Sequence, residues 1–379
     1  MTTQRRLVLT TVGISLFLNA LNAEEREEGG IQRLNRQANA TELPADMDAF
    51  LDELAARSAQ TLAEAPVLQK RRLSAEMNGL YGLYEDQLRH AGADVHVLIA
   101  TDTVLGLRAA QLLESFLRSQ DVVNVQVWTP EQLSSADNLH FSHGIKELLR
   151  LCEENIPGYR EAGYRVVFNL TGAFKSLQSY LNIAGMFYAD EIVYIFEGSN
   201  QLLRIPRLPI QVDLDALRVH RAALALLDAG AILTQQEAAD LPEGLLEVDQ
   251  LGDATLSEWG RLIWNRARHN LFQEGLLDFP SLIYEDSFRR GFSKASPDER
   301  VDLQMTLAKV SLLLKDGGVA RLKQDGGVQY EDYTNRKTPG GQPIGHFRLT
   351  QGRRVSCVVE GARLRLRHFG NHDQVNNNP

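Results

Sequence analysis

The chain of 379 residues carries a net charge of −9, with 44% hydrophobic and 23% charged residues, a composition typical of a soluble globular protein of two or three domains. No segment reaches the roughly 20 apolar residues of a membrane-spanning helix, so we expect no membrane contact. The two cysteines, Cys152 and Cys357, lie far apart without partners at metal-ligand spacing. This argues against a disulfide framework and a zinc site, and it favours the cytoplasm.

The first apolar run, LVLTTVGIS at residues 7–15, follows two arginines and is compatible with a secretory signal or with a first strand. Cleavage after Ala23 would leave Leu21 at a position that requires a small side chain. The threonines, serine and glycine also interrupt the apolar run. We therefore interpret it as a buried strand that ends in a turn.

Residues 22–90 form a polar insertion that is predicted to be helical, because apolar side chains recur at helical spacing. The following segments alternate between two types: strands at 94–102, 124–128, 164–172 and 191–198, and helices at 103–120, 144–163 and 173–189. This alternation predicts an α/β fold with a doubly wound, Rossmann-like parallel sheet over residues 1–213. Two prolines at 200–213 indicate an edge hairpin that closes the sheet.

Three strand-to-helix junctions carry small polar residues. These are Thr10, Thr11, Gly13 and Ser15 in the first junction, Thr101 and Asp102 in the second, and Asn169, Thr171, Gly172 and Lys175 in the third. The carboxyl ends of parallel strands meet at one sheet edge, where ligands bind, and helix N-termini offer N–H groups to a phosphate. Lys175 opposes its own helix dipole unless an anion is bound. The same residue types also make helix caps and turns, but their combination favours an anion site.

The turns TTVGIS and NLTGAFK, in this order, resemble those of the CARF domains of CRISPR-associated proteins, over roughly residues 1–215. The resemblance implies a homodimer whose two sheets share one pocket for a cyclic oligoadenylate, the messenger of type III CRISPR complexes. Cyclic tetra-adenylate is favoured because its two-fold symmetry matches a dimer. Ala173 stands where the family more often has a second glycine.

The CARF resemblance also implies roles for the junction residues. One wall of the pocket would be lined by Thr10, Thr11, Gly13 and Ser15, and the other by Asn169, Thr171, Gly172 and Lys175. Lys175 would contact phosphate, and Thr101 with Asp102 would contact adenine or ribose. The messenger is an allosteric ligand, and no cofactor is expected.

Residues 214–270 are predicted to form a helical or winged-helix-like connector. A helix-turn-helix that reads DNA is an alternative for this segment. However, its first 46 residues contain only two basic side chains, Arg218 and Arg221, among many acidic ones. That surface is unfavourable for a phosphate backbone, so we expect no double-stranded DNA partner.

Residues 271–379 are predicted to form a small α+β domain with an antiparallel sheet. A capped helix begins at Ser296, with Pro297 and Glu299 in its first turn, and ends at the glycines near 318. Strands follow at 345–351 and in a hairpin over 352–370. Residues 280–379 contain 16 Lys and Arg against 11 Asp and Glu, whereas the rest of the chain contains 24 against 38. The alternation Arg354, Val355, Ser356, Cys357 puts the basic residues on one face of the hairpin.

Metal-independent RNA cleavage needs a base for the 2′-OH, cations for the phosphorane and an acid for the leaving 5′-oxygen. Histidines and arginines of this domain supply all three. A basic hairpin that only docks the domain is the alternative, since charged runs are commonly solvated faces.

The helix followed by HFRL, GRRVSCVV and ARLRLRHFGNH resembles the RelE family of mRNA endonucleases, over roughly residues 285–376. The resemblance implies cleavage in the ribosomal A site, by 2′-OH attack that leaves a 2′,3′-cyclic phosphate. It assigns catalysis to His346, Arg348, Arg354 and His372. Asn376 stands where several members have a tyrosine, so the base would be His346 or His372.

The two resemblances together imply an effector of type III CRISPR antiviral defence. A cyclic oligoadenylate would activate the RelE-like domain, which would cut mRNA on the ribosome and arrest translation. Two alternatives remain at this point: a CARF-linked regulator that binds nucleic acid without cutting it, and a ring nuclease that degrades the messenger.

Overall fold

The computed structural model describes residues 4–172, 174–196 and 198–379, and the chain divides into two compact units, Met1–Ile210 and Gln211–Pro379. No helix in these described ranges has the length and apolar character needed to cross a membrane. Each unit has a sheet of its own, so the two are described separately.

Unit 1 contains a mixed six-stranded sheet. Its strands are β1 (Arg6–Thr11), β2 (Val95–Ile99), β3 (Val125–Trp128), β4 (Arg165–Asn169), β5 (Glu191–Ile195) and β6 (Leu202–Pro206). Their order is β3-β2-β1-β4-β5-β6, with β6 antiparallel to β5 and the other pairs parallel. This order is consistent with a Rossmann-like sheet. The point at which the strand order reverses lies between β1 and β4. The predicted edge hairpin is a single edge strand, β6.

Helices cover both faces of this sheet. They are α1 (Ser15–Leu18), α2 (Ala23–Glu27), α3 (Gly30–Arg36), α4 (Ala45–Glu64), α5 (Val67–Leu73), α6 (Ala75–Leu83), α7 (Val104–Ser119), α8 (Asn138–Glu161) and α9 (Lys175–Tyr188), with a 3-10 turn at Leu88–Ala91. The predicted insertion corresponds to α2–α6 and the turn. Val8, Leu98 and Val167 pack with Leu80 of α6 in one core, because alternate strand residues face the same side. On the opposite face Phe168 meets α9 at Gly185.

A buried polar network lies near the amino end of the sheet. The Tyr84 hydroxyl is 2.8 Å from Asp94 Oδ2 and 3.0 Å from His96 Nε2, and Arg6 Nε donates to Asp94 Oδ2 at 2.8 Å. Burial lowers the pKa of His96 to about 4, although the neighbouring Asp94 raises it. His96 is therefore neutral in the folded protein at pH 7.

The folded protein is expected to lose stability as the pH falls from about 6.5 to about 4. His96 in the unfolded chain binds a proton in this range, whereas buried His96 does not; the full change is about 3 kcal/mol. Urea unfolding at pH 7, 6 and 5 measures it, with His96→Gln as the comparison. An equally steep loss in His96→Gln would show that other groups cause the pH dependence.

Unit 2 begins with a small mixed subdomain. It contains α10 (Leu214–Arg218), α11 (Arg221–Asp228), β7 (Leu233–Thr234), β8 (Leu246–Val248), β9 (Asp253–Leu256) and α12 (Glu258–Gln273), with a 3-10 turn at Glu243–Leu245. The three strands form an antiparallel sheet in the order β7-β9-β8, so the segment predicted as a helical or winged-helix-like connector contains a small sheet beside its helices. Leu224 and Trp264 share one hydrophobic core with Leu307 and Phe347. The segment therefore packs as part of unit 2.

The rest of unit 2 is α+β. It contains β10 (Leu282–Tyr284), α13 (Asp286–Lys294), α14 (Pro297–Gln324), β11 (Glu331–Lys337), β12 (Pro343–Thr350), β13 (Arg353–Glu360), β14 (Arg363–Asn371) and α15 (His372–Asn377). The sheet order is β10-β14-β13-β12-β11, antiparallel except for the parallel pair β10–β14.

Helix α14 begins where it was predicted to begin and extends further along the chain than predicted. The Ser296 side chain accepts from the Glu299 N–H, and the Glu299 side chain accepts from the Ser296 N–H, as in a capping box. The predicted end coincides with a break, because Gly317 and Gly318 have non-helical backbone angles. A second helical stretch then runs to Gln324.

Candidate functional site

A cavity of about 340 Å³ opens at the carboxyl ends of β1, β2 and β4 in unit 1. Gly13 and Ser15 from the first junction, Thr101 from the second, and Thr171 and Gly172 from the third all line it. The three predicted junctions therefore meet at one place. The insertion contributes Asn35 and Asn39, and the loop after β3 contributes Ser135.

Glu76 of α6 holds the β1 turn. Its side chain is fully buried, with Oε1 accepting from Gly13 N–H at 2.7 Å and Oε2 accepting from the hydroxyls of Ser15 and Ser74 at 3.0 and 2.6 Å. Gly13 and Ser15 line the cavity, but the Gly13 N–H and the Ser15 hydroxyl are already bound by this internal carboxyl group. An anion in the cavity would therefore bind to other groups.

Two glycines allow this close packing. A Cβ on Gly172 would lie 2.2 Å from Glu76 Oε1 and 2.7 Å from the Thr11 carbonyl oxygen. A Cβ on Gly79 of α6 would lie 2.1 Å from Asn169 Oδ1. No side chain fits at either distance, so α6 can approach the sheet edge only where both residues are glycine.

Thr10, Thr11 and Asn169 are fully buried and lie beneath the cavity rather than on its walls. The Thr11 hydroxyl donates to the Gly172 carbonyl at 2.9 Å, and Asn169 Oδ1 accepts from the Thr171 hydroxyl at 2.8 Å. Asn169 Nδ2 donates to the Glu76 carbonyl at 3.2 Å. These side chains therefore fix the junctions. The CARF resemblance implied that they line the walls of the pocket, which they do not.

Thr101 and Asp102 have different positions at the end of β2. Thr101 lines the cavity, and its hydroxyl lies 2.8 Å from that of Thr103, the N-cap of α7. Asp102 Oδ2 accepts from the Gln132 N–H at 2.8 Å. Asp102 therefore holds the loop after β3, which brings Ser135 to the cavity.

Lys175 is the first residue of α9 and is exposed, directly after Phe174, which lines the cavity. A cation at this end of a helix is unfavourable without an anion nearby. Ala173 lies outside the described residues. The cavity thus combines hydroxyl and amide groups on its walls with a lysine beyond Phe174.

A second cluster lies on one face of the unit 2 sheet. In the antiparallel register, His346 of β12 is opposite Ser356 of β13, and Arg348 is opposite Arg354. Directly opposite residues share a face, so His346, Arg348 and Arg354 lie together. The guanidinium groups of the two facing arginines repel each other, and a bound anion would relieve that repulsion.

His346 packs against a tyrosine that sequence reasoning missed. The rings of His346 and Tyr333 are stacked, with centroids 4.3 Å apart. Burial lowers the pKa of His346, and the charges of Arg354, His372 and Arg348 lower it further, against the opposing effect of Glu331. His346 is therefore mainly neutral at pH 7, the form that accepts a proton.

Asn376 of α15 connects the remaining members of the cluster. Asn376 Oδ1 accepts from the Tyr333 hydroxyl at 2.6 Å and from Arg354 Nη1 at 3.1 Å. Asn376 Nδ2 lies 3.2 Å from His372 Nε2, and His372 Nδ1 is 2.9 Å from Asp373 Oδ1. The four predicted catalytic residues, together with Tyr333 and Asn376, therefore form one group.

The arginines of β14 have other contacts. Arg365 Nη1 lies 2.9 Å from Glu285 Oε1 and its Nε lies 2.7 Å from Glu360 Oε1, while Arg367 Nη1 donates to the Pro379 carbonyl at 2.7 Å. Much of the basic character predicted for the hairpin is thus neutralised within unit 2. Arg348 and Arg354 remain as cations of the cluster.

Residues 71–208 match the family model described as CRISPR-associated protein (Cas_APE2256). The match supports a CRISPR-associated protein. The matched range includes Glu76, the ends of β2 and β4, and the start of α9; the β1 turn and unit 2 lie outside it.

Proposed function

We propose that this chain is a CRISPR-associated effector in which unit 1 is a CARF-type sensor of a cyclic oligoadenylate and unit 2 is a RelE-like, metal-independent endoribonuclease. The observation that carries the proposal is the His346–Arg354–His372 cluster in a chain whose other unit matches a CRISPR-associated family. Cleavage of mRNA on the ribosome would arrest translation.

The cavity of unit 1 supports the sensor role. Hydroxyl and amide groups from Thr101, Ser135, Asn35 and Asn39 suit adenine and ribose, which offer both donors and acceptors. Lys175 at the start of α9 suits a phosphate. A homodimer would place two such cavities around a two-fold axis, and cyclic tetra-adenylate has the matching symmetry. The messenger activates only if it binds the active arrangement more tightly than the resting one.

The cluster of unit 2 supports the nuclease role. Neutral His346 takes the 2′-OH proton while the 2′-oxygen forms a bond to phosphorus. Arg348 and Arg354 stabilise the negative charge of the phosphorane. The bond from phosphorus to the 5′-oxygen then breaks, and that oxygen takes a proton from an acid. The products are a 2′,3′-cyclic phosphate and a 5′-hydroxyl.

The test is translation of a reporter mRNA in a cell-free system, with the full chain, with and without cyclic tetra-adenylate. Primer extension maps the new 5′ ends. We expect cuts within translated codons only when the messenger is present. Messenger-independent cuts would contradict the sensor, and bound messenger without cuts would contradict the nuclease and leave unit 2 as a nucleic-acid-binding module.

Charge-reversed variants test the sensor separately. Lys175→Glu should raise the messenger concentration needed for half-maximal cleavage, because it puts a carboxylate where we place a phosphate. Arg89→Glu, also exposed in unit 1, is the matched control and should not. Equal shifts in both variants would point to net charge alone.

A further inference from the structure

Two hydrogen-bond donors of unit 2 point at a single oxygen atom. The Tyr333 hydroxyl and Arg354 Nη1 approach Asn376 Oδ1 at 2.6 and 3.1 Å. The Tyr333 side chain is half-buried and comes from β11, the outer strand of the sheet. A neutral amide oxygen needs no cation, so this pair of donors is better suited to an oxygen that develops negative charge.

We propose that Tyr333 is the proton donor to the leaving 5′-oxygen in the RNA cleavage proposed above. The inference rests on that proposed function and names a further catalytic residue for it. The leaving oxygen would occupy the point where the Tyr333 hydroxyl and Arg354 converge, now filled by Asn376 Oδ1.

The environment of Tyr333 favours an acid rather than a base. Burial raises the pKa of Tyr333, although Arg354 opposes this. The phenol is thus protonated at pH 7 and has a proton to give. The guanidinium of Arg354 would stabilise the phenolate that forms.

His372 is a poorer candidate for this role. Its side chain is 41% exposed, and its Nδ1 faces Asp373 rather than Arg354. Among the described residues, His372 is linked to the cluster by its contact with the amide of Asn376.

The protons and electrons balance with His346 as the base. The 2′-OH proton moves to His346 and the 2′-oxygen forms the new bond to phosphorus. The electron pair of the bond to the 5′-oxygen leaves with that oxygen, which takes the Tyr333 proton. The imidazolium of His346 then loses its proton to solvent water, and the phenolate of Tyr333 takes a proton from solvent water, so both return to their starting states.

The experiment uses the full chain, messenger and ribosomes with two mRNAs that differ at one atom. In the second mRNA, sulfur replaces the 5′-oxygen at the cleavage site; a thiolate leaves without protonation. Tyr333→Phe keeps the ring against His346. It should cleave the oxygen mRNA about 10²–10⁴-fold more slowly than the wild-type chain, and the sulfur mRNA within about threefold of it.

Tyr330→Phe is the matched control. It removes a hydroxyl three residues away that donates to Asp332, and it should change neither rate. Equal loss on both mRNAs in Tyr333→Phe would overturn the assignment, since a proton donor acts only on oxygen. Full activity on both would overturn it as well. If the wild-type chain cleaves neither mRNA, the proposed nuclease fails and the assignment with it.

Discussion

Replacement of Arg354 by alanine is expected to lower the rate of messenger-dependent RNA cleavage by about 10²–10³-fold, the usual cost of removing one donor to a developing oxyanion. Arg354 lies opposite Arg348 across β12 and β13 and reaches Asn376 Oδ1 through Nη1. It also contributes to the lowered pKa of His346. Its loss would remove charge stabilisation from the phosphorane and make His346 a stronger but more often protonated base.

The measurement is the single-turnover cleavage rate on ribosome-bound mRNA across pH. Arg354→Ala should also raise the pKa of His346, because the charge of Arg354 lowers it in the wild-type chain. The acidic limb of the pH–rate profile should therefore move to higher pH. Arg363→Ala is the control, because Arg363 is exposed on the same sheet and has the same charge. If Arg363→Ala loses as much activity, general electrostatic attraction to RNA explains the effect. A retained rate in Arg354→Ala would contradict the cluster as the active site.

Replacement of Glu76 by alanine is expected to destabilise unit 1 by about 1–3 kcal/mol, because the buried Ser74 hydroxyl loses its acceptor and a buried donor without a partner costs about that much. The Gly13 N–H and the hydroxyls of Ser15 and Ser74 all lose their acceptor. Glu76→Gln should cost less, because its amide oxygen still accepts and the hydroxyls can rotate.

Amide hydrogen exchange in peptides from β1 and β4 of the full chain measures this loss within unit 1. Glu53→Ala is the control, an exposed glutamate on α4 of the same insertion. Unchanged protection in Glu76→Ala would mean that water replaces the carboxyl group, and the cavity would then be larger and wetter than it is in the wild-type chain.

The sequence located the edge of the sheet where the cavity lies, and it did so for a physical reason. Parallel strands end at the same edge, so small or polar residues such as Gly13, Thr101 and Thr171 that follow them must meet. Glu76 was missed because it is 63 positions from Gly13 along the chain, inside a helical insertion. Periodicity predicts which face of such a helix is apolar, but not which strand end it covers.

The same limit applies to the second cluster. His346, Arg348 and Arg354 lie on neighbouring strands with clear alternation, so the pattern predicts that they share a face. Tyr333 was missed because EDYTNRK of β11 is largely exposed and has no such alternation. The engagement of Arg365 by Glu285 was missed too, since Glu285 precedes it by 80 residues. Tertiary contacts of this kind leave no local signal.

The outer position of β11 has a consequence for how the cluster holds together. Its pairing with β12 shifts register between Asp332 and Lys337, and Asn335 within that stretch has a φ of 61°. An edge strand with interrupted pairing frays at a free energy well below that of global unfolding. Tyr333 can therefore leave Arg354 while His346 and Arg354 stay fixed on the inner strands. The cluster thus combines a rigid part, His346 and Arg354, with a mobile part, Tyr333. A ligand that stabilises the pairing of β11 with β12 would hold Tyr333 in place.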